Sequence, residues 1–318
     1  MLTHQDFQQL YLGSEQADVT ISTDTKEKLQ ISASSITDCT IYGLVDHAGM
    51  PGLAKKLKQS GLDWVSLFDD QREEAALSVA PLLFVIPSDQ TNQISLRHSQ
   101  LFDWIGEHGT YTSSLSFLAS PLSLQELARR LRQRLDAVLP DEMEVMLRFF
   151  DPRILEVLVP VLSDPQKQAF FSLTRYWWFV DRRGQLQGIQ TSFSATDFTE
   201  SLAIEFPFTL TSAQEGALID ASEPDQIAQL LLSSATEAYQ AVPLDQRYDF
   251  ILKHSAAAKQ IGIEALHELA LYCAVALLHG GEFATQANWS LVLQAVKNKQ
   301  ISLAQAVAHI DTHTPKVA

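Results

Sequence analysis

Residues 82–86 read Leu-Leu-Phe-Val-Ile, with Pro81 before them and Pro87 after. Every position in the run is apolar, so it has no polar side to turn toward water. A short, uninterrupted apolar run bounded in this way is expected as a strand buried on both faces. Such a strand needs covering layers above and below its sheet. The 318 residues, of which 46% are hydrophobic and 19% charged, supply enough apolar surface for a core of that kind. The length suits two domains or one large one.

The segments around this run alternate. Thr40–Val45 carries Ile41, Leu44 and Val45, a short strand pattern that ends at Asp46. His47-Ala48-Gly49-Met50-Pro51-Gly52 reads as a turn. A helix is expected from about Leu53 to Gln59, stopped by Gly61, with Leu53 and Leu57 inward and Lys55, Lys56 and Lys58 mostly outward. Trp64–Phe68 is short and apolar, Leu101–Gly106 reads as a helix with Phe102 and Ile105 inward, and Leu115–Leu118 is a further strand. Strand and helix thus take turns, as they do in an α/β layer.

Ser123 with Glu126 three residues later forms a capping box, and Leu124, Leu127, Leu131, Leu135 and Val138 follow a helical period. A helix is expected over Ser123–Leu139, ended by Pro140, with Arg129, Arg130, Arg132 and Arg134 largely off the apolar stripe. Val145–Phe150 is β-prone. Asp151-Pro152 then starts a helix to about Leu162: the Asp accepts from orphan N–H groups, and Pro sits where no donor is needed. Pro165 begins a short helix to Phe171. Tyr176–Val180 reads as a strand, Arg182-Arg183-Gly184 as a hairpin turn, and Gln185–Phe193 as the returning strand.

The composition then shifts. Between Gly184 and Gln246 there is no Lys or Arg, against nine Asp or Glu. Beyond about Leu210 the pattern is helical: Ser212-x-x-Glu215 and Ser222-Glu223-Pro224 are helix starts, Ile263–Leu278 is a mostly apolar helix closed by Gly280-Gly281, and Trp289, Val292, Leu293 and Val296 share one face of the next. The connector, Ser194–Thr211, lacks glycine and keeps Phe198, Phe206 and Phe208, so a packed join is expected. The expected fold class is α+β. A polar arm over 1–38 precedes a mixed α/β N-terminal lobe over 39–195 and a predominantly helical C-terminal lobe over 196–318.

The formal charge of −15 sets the chain against phosphate backbones and anionic lipid, so neither nucleic acid nor membrane is an expected partner. Cys39 and Cys273 lie far apart with no CxxC pair, which excludes a disulfide framework or a cysteine zinc site. Met1–Leu12 shows no signal pattern, and the apolar stretch Leu269–Leu278 is too short to span a bilayer. A soluble, cytoplasmic protein is expected. There is no GxSxG elbow and no Gly-rich phosphate loop. His267-Glu268 begins like HExxH, but Leu271 stands where the second His belongs.

Asp46-His47 after a strand can act as an acid–base pair, although the plainer reading is an Asp fixing its own turn. Asp69-Asp70 can attract a cation, but adjacent acids are usually just solvated. The Arg129–Arg134 group is either an anion or partner patch or a solvated helix face. In a strand, Trp177 and Trp178 point to opposite faces. One of them facing outward would anchor an interface, and the alternative is that both are covered by the helical lobe. No catalytic, metal or cofactor site is expected.

Several blocks recur in order from Tyr42 to about Asp181: Tyr42-Gly43-Leu44-Val45-Asp46, Pro51-Gly52-Leu53, and Gly61 through Trp64 to Phe68. Ala80-Pro81-Leu82-Leu83, Ser120-Pro121-Leu122-Ser123 to Leu127, Leu147-Arg148-Phe149-Phe150-Asp151-Pro152-Arg153 and Arg175-Tyr176-Trp177-Trp178 follow. In this layout the chain resembles the bacterial type VI secretion effector chaperones, or adaptors, encoded beside VgrG spike and effector genes. One departure is His47, where a small polar or acidic residue is expected.

The resemblance implies non-enzymatic work without cofactors: binding a toxic effector in the cytoplasm and handing it to the VgrG spike. It implies a scaffold role for Tyr42, Asp46, Trp64, Arg148, Asp151, Pro152 and Arg153. Trp177, Trp178, Phe206 and Phe208 are the expected partner-binding residues, because large aromatics anchor interfaces. The rival readings are a hydrolase using Asp46 and His47, or a structural part of the secretion apparatus.

Overall fold

The computed structural model describes residues 38–68, 79–87, 96–190 and 206–313. The arm before Asp38, the Asp69-Asp70 pair and part of the connector, Phe198 included, lie outside the described residues. The chain divides into two compact units, Met1–Leu218 and Ile219–Ala318.

The first unit is built on a six-stranded sheet. Its strands are β1 (Thr40–Val45), β2 (Trp64–Ser66), β3 (Leu82–Ile86), β4 (Leu115–Ser120), β7 (Tyr176–Val180) and β8 (Leu186–Gln190). They run in the order β2-β3-β1-β4-β7-β8, and every pairing is antiparallel. The alternation of strand and helix does give layers on both faces, around an antiparallel sheet.

Side chains divide by parity along each strand. Tyr42, Leu44, Leu83, Leu118, Trp177 and Phe179 face one way, under α3 (Leu124–Arg132), α4 (Pro152–Val161) and α5 (Asp164–Phe171). Ile41, Val45, Phe84, Phe117, Trp178 and Val180 face the other, under α1 (Leu53–Ser60) and α2 (Leu96–Gly109). Gly43 lies between Phe84 and Phe117 in the register, and a Cβ there would fall inside the Phe84 ring, so only glycine fits.

Two expected elements came out differently. The helix from Ser123 ends at Arg132, not Leu139: Leu135 N–H bonds back to the Arg132 carbonyl, and Asp136–Val138 becomes β5, paired with β6 (Glu144–Met146). The apolar spacing of Leu135 and Val138 suits either element. Likewise Leu147–Phe150 leaves the strand through tight turns, Phe149 N–H to Leu147 carbonyl and Asp151 N–H to Arg148 carbonyl.

The division between units also falls later than 195/196. Phe208 and Leu210 are buried in the first unit's core, and Leu210 N–H donates to the Val138 carbonyl. The second unit holds α7 (Glu223–Ser234), α8 (Thr236–Ala241), α9 (Arg247–Gln260), α10 (Leu266–His279), α11 (Ala287–Lys297) and α12 (Leu303–His313); α6 (Ser212–Ala221) leads into it. As its apolar composition implied, α10 is central. Its Leu269, Tyr272, Cys273 and Ala276 are buried with Ile227, Ile251, Trp289 and Leu303 from surrounding helices. No helix among the described residues is long and apolar enough to cross a membrane.

Candidate functional site

The sharpest sequence block, Arg148 to Arg153, folds back onto the end of β1. Asp46 closes that strand and caps a 3-10 turn over His47–Gly49: its Oδ1 accepts from Ala48 N–H at 3.1 Å. Its Oδ2 accepts from Arg148 Nη2 at 2.8 Å. Asp151 caps α4 by accepting from Arg153 N–H at 3.0 Å. The Arg153 guanidinium grips the same carboxylate with both arms, at 2.9 Å to Oδ1 and 2.7 Å to Oδ2. Arg148 Nη2 stands 3.6 Å from Asp151 Oδ2 and so bridges the two acids.

The result is a chain of alternating charge, Asp46–Arg148–Asp151–Arg153. Both aspartates are almost fully buried, while the side chains of Arg148 and Arg153 are 47% and 36% exposed. Desolvating a carboxylate is tolerable only with such partners. Each Asp spends its two oxygens on a backbone N–H and on guanidinium N–H groups. The plainer reading of Asp46, an Asp fixing its turn, is what the geometry shows, with the Arg148 pair added. His47 opens that turn and is partly buried. Among the described residues no group of three or more His, Cys, Asp or Glu is arranged to hold a metal ion.

Tyr42 completes the scaffold by donating from its hydroxyl to the Leu122 carbonyl at 2.6 Å, while Trp64 is partly buried against the opposite core. The hairpin turn between β7 and β8 matches its sequence. Asp181 Oδ1 accepts from Arg183 and Gln185 N–H, both at 2.9 Å, and Gly184 takes the left-handed φ of 75°.

Three of the four aromatic residues expected to meet a partner, Trp177, Trp178 and Phe208, are instead core residues, and Phe206 packs against that core. Trp177 is fully buried among Phe149, Phe170 and Phe171, with ring centroids 5.7–6.3 Å away. Trp178, 3% exposed, stacks on Tyr176 on the opposite face. Both are covered from within the first unit. Phe208 is buried, and partly buried Phe206 lies under the Arg134 guanidinium at 4.2 Å. Edge-to-face contacts, worth about 0.5–1.5 kcal/mol each beyond burial, explain why so many aromatics gather here.

The Arg129–Arg134 group is neither a free patch nor a uniformly solvated face. Arg129 and Arg130 pair with Glu126, and Arg132 Nη2 donates to the Ser66 carbonyl at 2.7 Å. Arg134, only 2% exposed, donates to the carbonyls of Ala169 (2.7 Å), Phe170 (2.9 Å) and Arg130 (2.9 Å). Burial, and then the Arg130 charge, pushes its guanidinium down to about 9. A second set of polar residues was missed in the sequence: Gln166 and Gln214 bond each other at 2.6 Å and reach the Thr209 and Val161 carbonyls, which ties α6 to α4 and α5. The capping box is Thr211-x-x-Gln214, one residue before the expected Ser212-x-x-Glu215 start, and that spacing was the available signal.

No curated protein and no solved structure matches the chain. Residues 41–169, the stretch from β1 through most of α5 that contains the whole Asp46–Arg153 network, match the family model described as Domain of unknown function (DUF4123).

Proposed function

We propose that the protein is an effector-specific chaperone and adaptor of a bacterial type VI secretion system, which binds a toxic effector in the cytoplasm and loads it onto the VgrG spike. The observation that carries this reading is the coincidence of the DUF4123 match with the motif blocks of the adaptor resemblance. The blocks ending at Asp46 and running from Arg148 to Arg153 bond chiefly to one another and to their own backbone caps, which suits a shared scaffold better than a reaction centre. Among the described residues, five of the eight exposed large apolar side chains, Ile219, Leu232, Leu244, Leu278 and Leu291, belong to the second unit, and these favour it as the partner-binding part.

The test is copurification of the full chain with the product of a neighbouring toxin gene, with and without spike protein. A stable complex with that product alone supports the adaptor. Binding to apparatus proteins whether or not the toxin is present would instead make it a structural component.

A further inference from the structure

We infer that the groove between α1 and α2 is a docking site for a short acidic peptide segment of a partner protein. The two helices lie on one face of the sheet, with Leu53, Leu57, Phe102 and Ile105 buried in a common core. Between them is a groove of about 420 Å³ lined by Lys56, Gln59, Ser60, Arg97, Gln100 and Leu101. That volume falls in the roughly 300–1,000 Å³ range of binding clefts.

The charge of the groove is opposite to that of the chain. Lys55, Lys56 and Lys58 sit on α1, which contains no acid, and Arg97 stands at the start of α2. Among the described residues none of these four takes part in an ion pair, whereas Arg129, Arg130, Arg148, Arg153 and Arg182 of the same unit all do. The acids of α2, Asp103 and Glu107, lie further along it. Four cations without carboxylates, in a chain of net charge −15, make a local field that attracts acidic groups.

The groove is also built in advance. Lys56 Nζ is held 4.6 Å over the Trp104 ring, which stacks on His108. His98 Nε2 meets the Ser60 carbonyl at 3.2 Å and pins the two helices together. Side chains fixed before binding lose less freedom on binding.

A peptide fits this lining better than another polyanion. The Gln59 and Gln100 amides offer both donors and acceptors, which match the N–H and C=O of an extended chain. Lys56 and Arg97 match its carboxylates, and Leu101 gives an apolar floor. Phosphate would use only donors, and the chain's overall charge opposes a long nucleic acid or an anionic membrane. This site is on the first unit, whereas the adaptor reading favours the second for effector binding, so the two stand or fall separately.

The test uses the full chain and a short fluorescent peptide that alternates Glu with Leu and Ser, followed by anisotropy. Saturable binding that weakens with added salt is expected. Replacing Lys56→Glu together with Arg97→Glu should reduce affinity at least about tenfold, Lys56→Gln with Arg97→Gln should reduce it less, and Lys297→Glu on α11 should leave it unchanged. The melting temperature of each variant checks that it is folded. The inference is overturned if the native chain does not bind the peptide, if folded charge variants bind as well as the native chain, or if single-stranded DNA of equal length binds more tightly.

Discussion

At the scale of single residues, buried polar groups decide what can change. Asp151 holds a helix cap and two guanidinium partners at once. Removing the cap alone costs about 0.5–2 kcal/mol. The ion pairs add little more, because both arginines are well exposed to solvent. Asp151→Ala is therefore expected to lower stability by about 2 kcal/mol, or roughly 4–8 °C in melting temperature for a unit of this size. Thermal melts of the full chain measure it, and an unchanged melting temperature would remove this block from the scaffold.

This much was legible in sequence, because Asp-Pro at a helix start has a local cause. The Arg148–Asp46 contact was not. It joins residues far apart in the chain, and only the folding of Leu147–Phe150 into turns brings them together. The aromatics misled for a related reason. A strand's alternation tells that Trp177 and Trp178 face opposite ways, but not that both faces of this sheet are covered.

At the scale of elements, α3 and α5 are joined by one side chain. Arg134 follows α3 and takes up the free carbonyls at the end of α5, where cations are favoured. Its planar fork reaches several acceptors that an ammonium cannot reach together. Arg134→Lys should thus cost about 2 kcal/mol in spite of keeping the charge, since a buried carbonyl is left without a donor. Chemical denaturation reads this directly, and a midpoint equal to the native one would show that charge alone matters.

In the second unit, α9 carries His254, buried beside Phe250 at 4.4 Å. Burial, and then the Lys253 charge, holds its pKa below 6.5, with Glu282 acting in the opposite sense. Above about pH 6.5 neither the folded nor the unfolded chain binds this proton, and below it the unfolded chain binds it first. The contribution is thus complete above about 6.5 and is lost as pH falls. Denaturation at pH about 7.5 and about 5.5 should show the drop, and His254→Gln should flatten it. The helix α10 needed no such long-range knowledge. A segment apolar on most sides, stopped by two glycines, announces a central position from sequence alone.

At the scale of the whole molecule, the layered first unit and helical second unit follow from the change in sequence pattern, but the boundary does not. The loss of basic residues begins at Gly184, while compact packing continues to Leu218 because Phe208 and Leu210 are needed in the first core. A cut near Ser194 would strip that core. The central claim, that the second unit's exposed apolar residues hold the effector while the network of the first is scaffold, is therefore best tested in the full chain. The most direct measurement is the dissociation constant of the purified effector complex for the native protein and for Leu278→Glu with Leu291→Glu, whose side chains are 67% and 76% exposed. The account predicts at least about tenfold weaker binding with an unchanged melting temperature, as for loss of an interface anchor. An unchanged affinity in that variant, alongside a folded Asp151→Ala protein that no longer binds effector, would contradict it.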